Sequence, residues 1–170
     1  QCISGNIGCA GHRIGLNKPI RCTVNPAVNK DDDYAKRKIT KPCNVVVIGG
    51  GTAGMEAACT AAEVGCTTFL IEKEEQLGGL ARKIAQIPDK NRLGNFPKWL
   101  ERRASKLHNL FIFKGTEATL ELVQRLNPDI IVNATGSNPT LPPITGLLDL
   151  VDKDGTNVAI VLKMIERQDS

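Results

Sequence analysis

Two groups of residues in this 170-residue sequence could do chemistry. The first is Gly49, Gly51 and Gly54 in the spacing Gly-x-Gly-x-x-Gly, followed by a carboxylate, Glu72, about twenty residues on. That set suits a dinucleotide. Gly49 permits a tight turn, Gly51 leaves no side chain to block a pyrophosphate, and Gly54 lets the following helix pack close to the strand. Thr52 and Ala53 lie at the helix start, where backbone N–H groups and the helix dipole favour an anion. Glu72 can accept the hydroxyls of a ribose. The second group is Cys2, Cys9 and Cys22, with Gly5, Gly8, Gly11 and Gly15 among them. Glycines around clustered thiols suit a loop that wraps a metal or an iron–sulfur cluster, because the backbone must turn sharply to present several thiolates. Three cysteines do not complete a four-thiolate shell. A fourth ligand from elsewhere, an open iron, or no cluster are the alternatives, and the plain one is three unpaired thiols on an irregular arm. His12, close to Cys9, is considered as a substitute ligand.

The glycine set depends on the elements around it. Val45–Ile48 is a β-branched run suited to a strand buried on both faces. An alanine-rich helix follows and stops at Gly65. Thr67–Ile71 is a second strand, which Glu72 ends. The competing reading is a glycine-rich turn with Glu72 as a solvated strand end. It leaves the absence of bulk at three spaced positions without a reason.

Further along, Ala81–Leu107 is expected to be helical in two pieces, with Pro88, Gly94 and Pro97 as breaks. Trp99 belongs to the core or an interface rather than to a cofactor contact. Asn109 turns the chain, Leu110–Phe113 reads as a strand, and Thr119–Leu126 as a short helix capped by Thr119. Ile130–Val132 has the composition of a buried parallel strand and runs into Ala134-Thr135-Gly136, where small residues let the backbone approach a ligand. Pro139, Pro142 and Pro143 stiffen the exit. Val158–Ile165 forms a short strand or a helix. Cys43, Cys59 and Cys66 read as small buried hydrophobes. His108 has no convergent partners.

Composition narrows the classes. Hydrophobic residues make 41% and charged residues 24% of the chain, an ordinary soluble mixture. No apolar run reaches the length of a membrane span, and the N-terminus is not a signal peptide. Net charge is +4 with aromatics at 4%, a poor match to nucleic-acid binding, which needs stacking rings on a basic surface. Six cysteines beside a dinucleotide fingerprint suggest a reducing compartment, hence a cytoplasmic protein. The start at Gln1 suggests a fragment or a processed product. Lys30–Lys41 reads as a charged, solvated linker, with a basic docking role for Lys36-Arg37-Lys38 as the lesser alternative.

Cys2-Ile-Ser-Gly-Asn-Ile-Gly-Cys9, then Pro19-Ile-Arg-Cys22-Thr-Val-Asn-Pro-Ala-Val28, then the Val-Val-Ile-Gly-Gly-Gly fingerprint, resembles the iron–sulfur flavoenzymes related to 2,4-dienoyl-CoA reductase, trimethylamine dehydrogenase and enoate reductase. In that family an old-yellow-enzyme-like barrel carrying FMN precedes a cysteine segment for a [4Fe-4S] cluster. A domain binding FAD or ADP follows, with an NAD(P)H domain inserted in it. Cys2, Cys9 and Cys22 match the first, third and fourth cluster ligands; Gly5 stands where the family has the second. Glu72-Lys73…Leu77-Gly78-Gly79 is similar to the two-dinucleotide-domain flavoproteins, where paired glycines bring amides against the FAD pyrophosphate. The resemblance also places the ribose on Glu72, the pyrophosphate beside Ala134, Thr135 and Gly136, and the adenine against Thr116–Ala118.

The resemblance implies a Rossmann-like three-layer α/β domain with a parallel sheet over residues 42–146. A cysteine-bearing arm and linker, 1–41, precede it, and a connector toward an NAD(P)H domain, 147–170, follows. In the resembling enzymes NAD(P)H gives hydride to FAD, and electrons pass through the cluster to FMN, which reduces an activated alkene of the 2,4-dienoyl-CoA or enoate type. The amine dehydrogenase branch keeps ADP only. The expected partners are the FMN barrel and the NAD(P)H domain, with no nucleic acid and no membrane. No catalytic acid, base or nucleophile is assigned, and the isolated chain is not expected to turn over alone. The alternatives are a nucleotide-binding or assembly module without turnover, and a plain NAD-dependent dehydrogenase domain. Leu77-Gly-Gly79 and Ala134-Thr-Gly136 argue against the last.

Overall fold

The computed structural model describes residues 2–30, 38–153, 159, 160 and 163. Four parallel strands form its centre: β1 (Asn44–Ile48), β2 (Thr67–Ile71), β3 (Leu110–Phe113) and β4 (Ile130–Asn133). They lie in the order β3-β2-β1-β4, so the chain reverses direction of growth beside β1. Among the described residues these α-helices accompany them: α1 (Thr52–Val64), α2 (Gly79–Ile84), α3 (Asn95–Ala104), α4 (Leu120–Arg125) and α5 (Leu147–Leu150). Crossover helices are what parallel pairing requires, because a tight hairpin cannot return the chain to the same end.

The alternation of side chains along each strand builds two apolar layers. Val45, Val47 and Leu70 face α1 and α3, where Met55, Ala58, Cys59, Ala62, Leu100 and Ala104 complete a core. Val46 and Ile71 face the other way, onto Val123 and Leu122 of α4. The three layers are thus α1/α3, sheet and α4, a Rossmann-like α/β arrangement. Gly65 ends α1 in the left-handed conformation (φ 112°) and its N–H returns to the last turn. Thr119 caps α4, its Oγ1 accepting from Leu122 N at 3.2 Å.

Two expectations need correction, and the irregular arm holds one element that no motif announces. Ile7–Gly15 is a π-helical segment, closed by bonds such as Gly11 N to Asn6 O (2.9 Å) and Leu16 N to Gly11 O (3.1 Å). A search for a 3.6-residue period misses a ladder that skips five. Pro97 does not break a helix; it is the third residue of α3, within the first turn, where the missing N–H has no intrahelical partner to lose. Strand β4 is parallel but not buried. Among the described residues it pairs on one side only, with β1, and Ile130 and Ile131 are 50% and 54% exposed. Apolar composition does not distinguish an edge strand from a central one.

The Lys36-Arg37 alternative, the Asp31–Asp33 part of the linker, and Val158–Ile165 apart from residues 159, 160 and 163 lie outside the described residues. Lys38 donates from Nζ to the Glu63 carbonyl at 2.6 Å. Among the described residues no helix is long and apolar enough to cross a membrane.

Candidate dinucleotide site

The three fingerprint glycines are glycine for different reasons. At Gly49 (φ 105°) an added Cβ would lie 2.4 Å from the Ala134 carbonyl oxygen, and at Gly54 it would lie 1.8 Å from the Gly49 carbonyl oxygen. Both positions are closed by the protein's own packing. At Gly51 an added Cβ would meet nothing within 4 Å. Gly51 also has an ordinary backbone conformation (φ −68°, ψ −177°). Among the described residues nothing requires a glycine there, so the space it leaves is available to a ligand.

That space borders the start of α1. Gly51 is the N-cap residue, no side chain caps the helix, and its first turn holds no acidic residue. The 13-residue helix thus presents the N–H groups of Thr52, Ala53 and Gly54 and the positive end of its dipole, uncompensated, where a pyrophosphate would sit.

Glu72 follows β2 and is 8% exposed. Its Oε2 accepts from Gly50 N at 2.5 Å and its Oε1 from Glu74 N at 2.8 Å. Each carboxylate oxygen has a second lone pair, so two acceptor positions remain for ribose hydroxyls. The carboxylate therefore also braces the glycine loop, a role the sequence did not suggest. Beside it opens a cavity of about 230 Å³, nucleoside-sized, lined by Gly49, Glu72, Lys73, Thr116, Ala118 and Thr135. Thr116 is tied there by its N–H to the Glu72 carbonyl at 2.9 Å.

Gly78 (φ 105°) and Gly79 (φ 49°) pack onto the fingerprint loop. Gly78 N donates to Gly50 O at 2.9 Å, and a Cβ on Gly79 would lie 3.2 Å from the Gly51 Cα. On the other side Ala134 N donates to Ile48 O at 2.8 Å. Asn133 Oδ1 accepts from both Thr135 N (3.2 Å) and Thr135 Oγ1 (2.9 Å). Gly136 (φ 85°) opens onto free space. Gly50 and Asn133 are residues that sequence reading missed. A Cβ on Gly50 would meet Leu77 at 2.6 Å and the Glu72 carboxylate at 2.9 Å; the Gly49-Gly50-Gly51 run was its only signal.

Cys2, Cys9 and Cys22 line one small cavity of about 30 Å³ together with Gly5 and Gly8. The chain closes there through Arg21 N to Gly8 O at 2.8 Å. Among the described residues no three His, Cys, Asp or Glu side chains converge at the spacing of a single metal ion. Gly5 supplies no ligand, and its nearest neighbour is the Thr23 hydroxyl, 3.7 Å from where a Cβ would be. These residues offer three thiolates and do not fit a four-thiolate shell. His12 does not fill the gap: it lines a different cavity, with Lys18 and Arg21.

Trp99, expected in the core or at an interface, is 37% exposed. It stacks on Phe96 (5.9 Å) and lies under the Arg103 guanidinium (5.4 Å). Arg103 bonds Glu63 through Nε (2.6 Å) and Nη2 (2.8 Å), and Glu56 through Nη1 (2.8 Å), joining α1 to α3. These residues border the cavity of about 780 Å³ between the arm and the helices, away from the glycine loop.

Residues 44–127 match the family described as FAD dependent oxidoreductase. An NADH oxidase of Thermoanaerobacter brockii is 40% identical over 147 residues, which are 86% of this chain and 22% of that protein. A cinnamate reductase of Clostridium sporogenes is 34% identical over 147 residues, 85% of this chain and 22% of that protein. A solved 2-naphthoyl-CoA reductase complex superposes with a TM-score of 0.83 at 28% identity, over 98% of this chain and 24% of that one. The chain spans less than a quarter of the length of each of these proteins.

Proposed function

We propose that this chain, whose residues 44–127 match the FAD dependent oxidoreductase family, is the FAD- or ADP-binding module of a multidomain NAD(P)H-dependent iron–sulfur flavoprotein. One observation carries the reading: the open space at Gly51, bounded by the uncapped start of α1, with the Glu72 carboxylate across the loop. The α1 N–H groups bind the pyrophosphate. Glu72 orients the ribose through its two remaining lone pairs. Thr116–Ala118 and Lys73 border the adenine, and Gly78, Gly79 and Ala134–Gly136 bring backbone close to the phosphates.

FAD, when bound, supplies the hydride- and electron-accepting chemistry. The chain's own part is position and electrostatics, and no side chain of the site is placed as an acid or base. The relatives' names, an NADH oxidase, a cinnamate reductase and a 2-naphthoyl-CoA reductase, support an NAD(P)H-driven reduction of an unsaturated acid or thioester by the whole protein. That whole protein would add the FMN barrel and the NAD(P)H domain. Cys2, Cys9 and Cys22 are its candidate cluster thiolates, with the ligand at the place of Gly5 to come from elsewhere.

The test uses the full-length protein. NADH should bleach its flavin absorbance, and an α,β-unsaturated acid or acyl thioester should restore it. A protein that binds flavin but is neither bleached nor reoxidised would instead be a nucleotide-holding module without turnover.

A further inference from the structure

We propose that Cys43 and Cys66 are an oxidative modification site, a thiol pair that peroxide converts into a disulfide clamping the amino-terminal ends of β1 and β2. Cys43 and Cys66 immediately precede the paired residues Asn44 and Thr67. The ladder continues to them, since Thr67 N donates to Cys43 O at 2.9 Å. Neighbouring strands lie about 4.8 Å apart, inside the Cα separation of roughly 4.4–6.8 Å that a disulfide spans. By strand alternation Cys43 shares a face with Val45 and Val47, and Cys66 with Thr68 and Leu70. Both thiols accordingly meet in the α1/α3 core, where Cys66 is buried and Cys43 packs partly buried against it. They also sense each other: burial first, then hydrogen bonding and charge repulsion from Cys43, push the Cys66 thiol up from its ordinary value. Cys59, the other core thiol, is engaged instead with the Leu100 carbonyl at 3.9 Å.

The asymmetry of burial assigns the steps. Cys43, the more accessible sulfur, attacks hydrogen peroxide as its thiolate. An S–O bond forms, the O–O bond breaks, and the departing hydroxide takes a proton to become water. Cys66 then attacks the Cys43 sulfenic sulfur. The S–S bond forms, the S–O bond breaks, and the second water leaves with the Cys66 proton. Two thiols lose two electrons and two protons, and one peroxide becomes two waters. The clamp lies at the far end of five-residue strands from the glycine loop, about 16 Å away, so nucleotide binding should not change.

The chain is treated with hydrogen peroxide, alkylated and mapped by mass spectrometry. The expected result is a peptide linking Cys43 to Cys66, lighter by two hydrogens and released by dithiothreitol, with ADP affinity unchanged. In Cys66→Ser, a dimedone-reactive sulfenic acid should accumulate at Cys43. The proposal is overturned if both residues stay alkylatable after Cys2, Cys9 and Cys22 have oxidised, or if Cys43 links to an arm cysteine instead. The wild-type map decides this even if the serine variant does not fold.

Discussion

The Glu72 carboxylate and the Gly50 amide, 22 residues apart in sequence, are joined by a hydrogen bond that closes the end of β2 onto the glycine loop. The acid placed to receive a ribose thus also holds the loop that receives the pyrophosphate. Replacing it therefore has two effects, which two substitutions separate. Glu72→Ala leaves the Gly50 and Glu74 N–H groups without their acceptor and should lower unfolding stability by about 1–3 kcal/mol. Glu72→Gln keeps an acceptor oxygen for Gly50, so stability should fall by less, while ADP affinity drops about tenfold, or about 1.4 kcal/mol. Urea unfolding and calorimetry on both variants check this.

Gly51 and Gly54 should respond in opposite ways. Gly51→Val adds side chain into open space at an ordinary φ, so stability should change by less than about 1 kcal/mol. Nucleotide binding should be lost. Gly54→Ala drives a Cβ into the Gly49 carbonyl, and overpacking of that kind costs about 1–3 kcal/mol or more. Thermal unfolding followed by circular dichroism distinguishes the two.

Arg103 is 13% exposed and bonds two carboxylates from another helix. Arg103→Ala should destabilise the chain by about 1.5–3 kcal/mol, the range of hydrogen bonds to charged groups. It should leave nucleotide affinity unchanged once the variant is folded, because the network faces the arm and not the glycine loop. Arg103→Lys should recover only part of the loss, since an ammonium does not reproduce the forked contact with Glu63.

Burial, with Cys43 adding to it, raises the Cys66 pKa above its ordinary 9.0. A folded value above the unfolded one favours the thiol. The resulting stability is fully present below pH 9.0 and lost as pH rises through the folded value. Unfolding free energy measured across the alkaline range should fall in wild type and fall less steeply in Cys66→Ala.

Much of this architecture is legible in the residues. Val45–Ile48, the three spaced glycines, the alanine-rich helix and Gly65 each point to the same strand-turn-helix, so local preference and global fold agree. The cavity beside Glu72 with Thr116, Ala118 and Lys73 follows from the family resemblance more than from any spacing, because it joins residues more than forty positions apart. Contacts that only the fold creates were not legible. Glu72 with Gly50 and the exposure of β4 both depend on which strand lies beside which. The π-helical arm escaped because its hydrogen bonds follow a period that side-chain patterning does not carry.

The most direct test is calorimetric titration of the flavin-free chain with FAD, ADP and NAD in parallel, with Gly51→Val as the control. The account predicts that FAD or ADP binds more tightly than NAD and that the folded Gly51→Val chain binds neither. FAD exceeding ADP would place the parent protein with the reductases rather than the amine dehydrogenases. Undiminished binding in Gly51→Val, or NAD preferred over both FAD and ADP, would contradict it.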